Sequence, residues 1–196
     1  MTKFYLIRHA VNDLVGKAIA GRMPGISLNA EGRRQAAKLA ERLSSEPIRH
    51  IFSSPLERCR ETATPLACRL GIEIQISENF NEIDFGNWTG KTLDELRLLD
   101  NWRQWNQFRS STRIPNGELM SEVQGRMIAE LEQLQTKYPN DAMAILSHGD
   151  PIRAALVYYL GVSIDLISRI DISSASVSIL ELGDFGPRIT RLNDCG

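Results

Sequence analysis

Residues Ala142, Met143, Ala144, Ile145 and Leu146 form a wholly apolar run, too short for a helix of its own, that stops at Ser147-His148-Gly149-Asp150-Pro151. A strand without a single polar position has no face to give to water, so it belongs inside a sheet covered on both sides. Covering both faces takes helices that alternate with strands, and the rest of the chain supplies that alternation. Lys3 to Arg8 reads as a strand, and Asn29 caps a helix whose Ala36, Leu39, Ala40 and Leu43 keep the 3.6-residue period. A second strand, His50 to Ser53, runs into Ser54-Pro55-Leu56-Glu57, which has the form of a capping box with proline at the first helical position.

Further along, Ile72 to Ile76 alternates as a half-buried strand, and Thr92 with Glu95 offers a second capping box. The stretch Trp102 to Pro115 reads as irregular. Leu119, Val123, Met127, Leu131 and Leu134 mark a long amphipathic helix. After the apolar strand, Asp150 is placed to cap and Pro151 to open another helix, with Ile152, Ala155, Leu156 and Tyr159 inward. Val177 to Leu182 and Arg188 to Leu192, around Gly183-Asp184-Phe185-Gly186, read as a hairpin at the sheet edge. The expected fold is α/β, one three-layer αβα sandwich with a mostly parallel central sheet. The 196 residues suit one domain over 1–196, a size at which roughly 70% of the unfolded surface can be buried.

Charge and cysteine usage narrow the function classes. With 23 Lys+Arg against 24 Asp+Glu the net charge is -1, without the basic footprint of a duplex-binding protein. Phe4 to Ile7 is too short for a signal-peptide core, and the longest apolar run, Ala154 to Leu160, falls well short of a membrane span. A cytoplasmic protein without nucleic-acid or membrane partners is expected. Cys59, Cys68 and Cys195 are odd in number and lack CxxC spacing, and the first two point to opposite faces of one helix. Three histidines, at 9, 50 and 148, are too few for a dinuclear metal site, and no nucleotide-binding glycine loop or Walker lysine is present. No metal and no cofactor is expected.

In open α/β sheets ligands bind beyond the carboxyl ends of the strands. Arg8 and His9 leave the first strand, Ser53 to Arg58 the second, and Ser147, His148 and Gly149 the buried one. Two arginines and two histidines meeting at one place would repel one another unless an anion sat between them. A phosphate suits all four: guanidinium forks match its oxygens bidentately, and helix starts add N–H groups and a positive dipole end. The same cations would keep His9 neutral and able to attack phosphorus. His50, at the start of its strand, reads as structural.

These residues resemble the opening and closing signatures of the histidine phosphatase superfamily, the branch with the cofactor-dependent phosphoglycerate mutases. The likeness runs in order through Leu6-Ile7-Arg8-His9, Gly21-Arg22, Ser53-Ser54-Pro55-Leu56-Glu57-Arg58, Glu82-Ile83-Asp84-Phe85-Gly86, Gly117-Glu118 and Ser147-His148-Gly149. It implies a phosphoglycerate mutase-like fold and a phosphohistidine mechanism. His9 would attack, Arg8, Arg58 and His148 would hold the phosphoryl oxygens, and Glu82 would act as acid and then base. Phosphoryl transfer asks for this combination of positioning, charge stabilisation, nucleophile and acid. Flanking arginines favour ionised Glu82 and a bound dianion favours the protonated form, so the acid is expected to be armed by substrate.

Departures from the family pattern bear on the reaction. Ala10 stands for the usual glycine, Val11 for a common glutamate, and Val15 for a common asparagine, for which Asn12 is the candidate substitute. Gly21, Arg22, Asn12 and Gly149 are candidate substrate contacts. Ile83-Asp84 follows Glu82 where mutases of the family generally carry arginine, which favours a phosphatase acting on a small phosphorylated metabolite. A phosphoglycerate mutase and a phosphoester-binding module that has lost useful catalysis are the alternatives. An insertion around 91–118 is a candidate lid: Trp102, Trp105 and Phe108 with Arg103, Arg109 and Arg113 could cover an anionic substrate, or the aromatics could form one buried stripe. Monomer and homodimer both stay open.

Overall fold

The computed structural model describes residues 1–196. Six strands, β1 Thr2–Arg8, β2 Ile48–Ser53, β3 Ile74–Ile76, β4 Ala142–Ser147, β5 Val177–Gly183 and β6 Gly186–Asp194, form one sheet in the order β3-β2-β4-β1-β5-β6. The first four in that order run parallel, while β5 and β6 add an antiparallel edge. The apolar run is thus the inner strand β4, buried at every position.

Period-two alternation sorts the core into layers. Tyr5, Ile7, Ala144 and Leu146 face α1 (Ala30–Leu43) and α2 (Glu57–Leu70), meeting Leu39, Leu43, Ala63 and Leu66. Phe4, Leu6, Met143 and Ile145 face α5 (Met120–Lys137) and α6 (Gly149–Tyr159), meeting Met127, Leu131, Ile152 and Leu156. The fold is the expected α/β sandwich. Cys59 is buried and Cys68 exposed, as their spacing on α2 requires. No helix is long and apolar enough to cross a membrane.

Several local expectations need correction. Strand β2 begins two residues earlier than His50, and β3 is shorter than Ile72 to Ile76. The stretch from Trp102 is not wholly irregular: α4 (Asp100–Gln107) follows α3 (Leu93–Arg97). Its two tryptophans, one turn apart, bury against Trp88 in a third core cluster, a tertiary contact that the polar residues between them conceal in the sequence. The Thr92–Glu95 capping box forms, but the one at Ser54 does not. Helix α2 starts at Glu57 without a side-chain cap, because Ser54 Oγ lies 2.9 Å from His148 Nε2 and Glu57 accepts from the Gly25 amide at 3.0 Å. Helix α6 likewise begins at Gly149, with Asp150 in its first turn paired to Arg109 and Arg153 instead of capping.

Register levels the strand ends. Arg8 lies opposite Ser147 and Ser53 opposite Leu146, so β1, β2 and β4 release His9, Ser54 and His148 at the same height of the sheet.

Candidate active site

His9 meets the fully buried His148 edge to face with ring centroids 5.2 Å apart, and lines a cleft of about 440 Å³. Arg8, Arg58, Glu82 and Gly149 line it with His9, together with Asn12, Gly21, Asp150 and Arg153. Leu14, Val15, Ile19, Phe85 and Leu93 supply apolar walls.

The two arginines are held by carbonyls at one edge and left open elsewhere. Arg58 is 1% exposed, and its Nη2 donates to the Gly21 carbonyl at 2.7 Å, while Nε and Nη1 are buried without a partner. Arg8 Nη1 donates to the Ile172 carbonyl at 2.6 Å and its Nε is similarly unpartnered. Buried donors are nearly always satisfied in folded proteins, so a cluster of open guanidinium N–H groups beside a cleft describes an anion site. Gly149, the first residue of α6, brings the positive end of that helix to the same place. A Cβ there would stand in ordinary contact with the Arg8 side chain, 3.4 Å from Nε, so the α6 start and the Arg8 guanidinium lie side by side.

His9 Nδ1 lies 2.7 Å from the Ala10 carbonyl, which can only accept, so Nδ1 carries the proton and Nε2 keeps its lone pair. Burial, then the charge of Arg58 and to a lesser degree Arg8, push its pKa down to about 3. His148 is likewise driven well below its ordinary value, chiefly by burial and Arg58. Both rings are neutral near pH 7.

Glu82 sits with Oε2 3.7 Å from His148 Nδ1 and Oε1 accepting from the Ile83 amide at 3.0 Å. Burial pushes its pKa up to about 7 against the opposing pull of Arg58. Burial therefore already favours the protonated carboxyl before any dianion arrives, in the same direction as the arming expected of substrate.

Ala10 raises no steric objection. It does not need the left-handed backbone, its amide donates to Thr62 Oγ1 at 2.9 Å, and its methyl packs with Leu28 and Ala36. Asn12 is buried at the cleft wall, with Oδ1 accepting from the Leu14 amide at 2.9 Å. Arg22 does not line the cleft. Its Nε donates to the Glu82 carbonyl at 2.8 Å and its Nη2 pairs with Glu118 at 3.0 Å, so it braces the segment that carries Glu82. His50 stacks on Tyr138 at 4.0 Å and lies 3.0 Å from Asp141, on β2 upstream of the site.

No residue from 102 to 118 lines the cleft; within 91–118 Leu93 does, its amide donating at 2.9 Å to the Lys17 carbonyl of the loop that follows Leu14 and Val15. Trp102 and Trp105 are the stripe of the alternative reading, whereas Phe108 is exposed. Arg109 lies 3.9 Å over Trp105 and pairs with Asp150 at 3.2 Å. Reading the sequence alone missed Asn81, whose Oδ1 accepts from the Glu82 amide at 2.9 Å, and Arg126, whose Nη2 donates to the Glu82 carbonyl at 3.0 Å. It also missed the placement of Arg153 in the cleft wall. Only the position of Arg153 one turn beyond Gly149 on α6 hinted at any of these.

A family model described as "Histidine phosphatase superfamily (branch 1)" matches residues 4–195. The chain belongs to that superfamily. Phosphoserine phosphatase 1 of Hydrogenobacter thermophilus is 29% identical over 198 residues, covering 98% of this chain and 92% of that protein. Among solved structures, Bacillus stearothermophilus YhfR superposes with a TM-score of 0.92 at 25% identity, covering 99% and 98% of the two chains. The phosphoserine phosphatase of Entamoeba histolytica in complex with 3-phosphoglyceric acid does so with a TM-score of 0.87 at 26% identity, covering 99% and 98%. This histidine phosphatase is an enzyme of the phosphoric monoester hydrolase type with a phosphoglycerate mutase-like fold.

Proposed function

We propose that the protein hydrolyses a small phosphorylated metabolite, without a metal, through a phosphohistidine on His9. The observation that carries the reading is the set of buried, unpartnered N–H groups on Arg8 and Arg58 around a neutral His9 whose Nε2 lone pair is free. Nε2 attacks phosphorus and the ester P–O bond breaks, while the Glu82 carboxyl gives its proton to the departing alkoxide. Water then attacks phosphorus and yields its proton to Glu82. The N–P bond breaks, releasing phosphate and restoring neutral His9 and protonated Glu82. Arg8, Arg58, His148 and the Gly149 end of α6 hold the equatorial oxygens throughout.

Beyond the phosphate the cleft offers an internally paired Asp150 and Arg153, joined at 2.8 Å, and otherwise mostly apolar walls. That lining suits a leaving group that is uncharged or carries balanced charges, such as a phosphoamino acid or phosphosugar. It suits a second anionic group poorly. The residue after Glu82, where mutases of the family generally place arginine, is the fully buried Ile83, which favours hydrolysis over a mutase reaction. The phosphoserine phosphatase relatives support the same class of substrate.

The test is turnover of p-nitrophenyl phosphate in EDTA, with acid trapping of labelled enzyme. His9-dependent turnover and an acid-labile phosphoenzyme are expected, and His9→Ala should lose both. Near wild-type activity in His9→Ala would refute the mechanism, and primed transfer to a phosphoglycerate in place of hydrolysis would move the chain to the mutases.

A further inference from the structure

A neutral imidazole has one ring proton, and the usefulness of His148 depends on which nitrogen carries it. Nδ1 lies on the Glu82 side, 3.7 Å from its carboxyl, and Nε2 lies on the protein side, 2.9 Å from Ser54 Oγ. Only Nδ1–H can donate toward a phosphoryl group in the cleft.

The hydrogen-bond inventory around Ser54 settles the choice. Its hydroxyl is fully buried. Oγ takes a long bond from the Leu56 amide at 3.4 Å, and its own proton has two acceptors within reach, His148 Nε2 at 2.9 Å and Asn81 Oδ1 at 3.5 Å. The second distance lies beyond the range of a good O–H···O bond. Asn81 Oδ1 also accepts the shorter bond from the Glu82 amide at 2.9 Å, so Ser54 would be its weaker, second donor. A proton on Nε2 would therefore leave the buried Ser54 hydroxyl only the long Asn81 bond, a penalty that biases the ring toward Nδ1–H. With the proton on Nδ1 the chain runs Leu56 N–H to Ser54 Oγ, and Ser54 O–H to His148 Nε2, and leaves Nδ1–H 3.7 Å from Glu82 Oε2, without a close protein acceptor and available to a bound ligand.

Cys59 completes the enclosure. Its Sγ stands 3.4 Å from Nε2 and 3.5 Å from the Ser147 carbonyl, and burial pushes the thiol pKa up to about 12. The thiol keeps its proton, can give it to the Ser147 carbonyl, and needs none from the ring.

We propose that Ser54 is the positioning residue that holds His148 as its Nδ1–H tautomer, aiming one donor at the phosphoryl group bound between Arg8 and Arg58. The tautomer itself is independent of the function proposed above; its use on a phosphoryl group rests on that reading. The same hydroxyl forgoes capping α2, which explains why that helix starts late without a side-chain cap.

Long-range proton–nitrogen NMR of the nitrogen-15-labelled protein, with His148 assigned by loss of its peaks in His148→Gln, reads the tautomer directly. Wild type should show Nδ1–H on His148, and Ser54→Ala should shift it toward Nε2–H and lower kcat about 10–100-fold. Ser54→Thr, which keeps the hydroxyl, should keep the Nδ1–H pattern. His9, tied to the Ala10 carbonyl, should stay Nδ1–H in every variant and so reports that the site is folded. Wild-type His148 found as Nε2–H, or an unchanged Nδ1–H tautomer in Ser54→Ala, would overturn the proposal. If the tautomer shifts as expected but no variant or wild type turns over a phosphate ester, the positioning role of Ser54 stands and the phosphatase reading falls.

Discussion

Replacing Arg58 by methionine should make the empty protein more stable while abolishing its response to phosphate. Arg58 is 1% exposed and keeps one bond, Nη2 to the Gly21 carbonyl, against two buried N–H groups with no acceptor. Losing the satisfied, charge-assisted bond costs about 1.5–3 kcal/mol, whereas each stranded donor carries a penalty of about 1–3 kcal/mol. Exchanging a buried charge for an apolar side chain of similar length is often neutral or stabilising by about 1–4 kcal/mol. A net gain near 1 kcal/mol corresponds to about 2–4 °C in a chain of this size. Wild type at a phosphate or vanadate concentration of about 100 Kd should gain about 2.7 kcal/mol by mass action, roughly 5–11 °C. Arg58→Met should show little of that shift and lose about 10²–10³ in kcat/KM, the range seen when one oxyanion donor is removed. Thermal melts with and without the anion decide the matter. A variant that melts several degrees below wild type when empty, yet still rises normally with phosphate, would refute the view of Arg58 as a strained anion receptor.

The pH dependence follows from the two perturbed groups. Hydrolysis needs protonated Glu82 and neutral His9, so kcat/KM should fall above about pH 7, and titration of His9, displaced to about 3, should contribute no limb near neutrality; a rise continuing through pH 9 would contradict this. In stability the same shifts act oppositely. Folded Glu82 binds more protons than unfolded between about 4.5 and 7, so stability declines as pH rises through that window, and Glu82→Gln should remove the decline. Folded His9 binds fewer protons between about 3 and 6.5, so its share of stability is present above that window and lost as pH falls through it. Among the glycines, Gly32→Ala places a Cβ 2.0 Å from the Val11 carbonyl oxygen, two residues beyond His9. It should cost about 1–3 kcal/mol by overpacking and reduce kcat. Gly125→Ala, in the interior of α5 with nothing within 4 Å, should instead stabilise by about 0.5–1 kcal/mol. Urea melts that fail to separate the two substitutions would show that the packing of Gly32 on the Val11 backbone is not the constraint.

Much of this protein was legible before folding. The wholly apolar β4 demanded a doubly covered sheet, and the strands leaving at His9, Ser54 and His148 pointed to the carboxyl edge, because periodicity and capping are local properties that a single chain displays directly. The likeness to the histidine phosphatases added Glu82, which no spacing rule distinguishes from the other acids. What the sequence could not display are contacts between segments far apart in the chain. The two turn-spaced tryptophans of α4 look polar in their window until Trp88 covers them. Ser54 reads as a helix cap until β4 brings His148 to 2.9 Å. Arg22 reads as a phosphate contact until the backbone of Glu82 claims it. The pKa values of His9 and Glu82 belong to the same class. Residue type and order determined which charges would gather at the sheet edge, but desolvation there is a collective property of the packed structure, and only the tertiary fold decided that both would be neutral enough to work near pH 7.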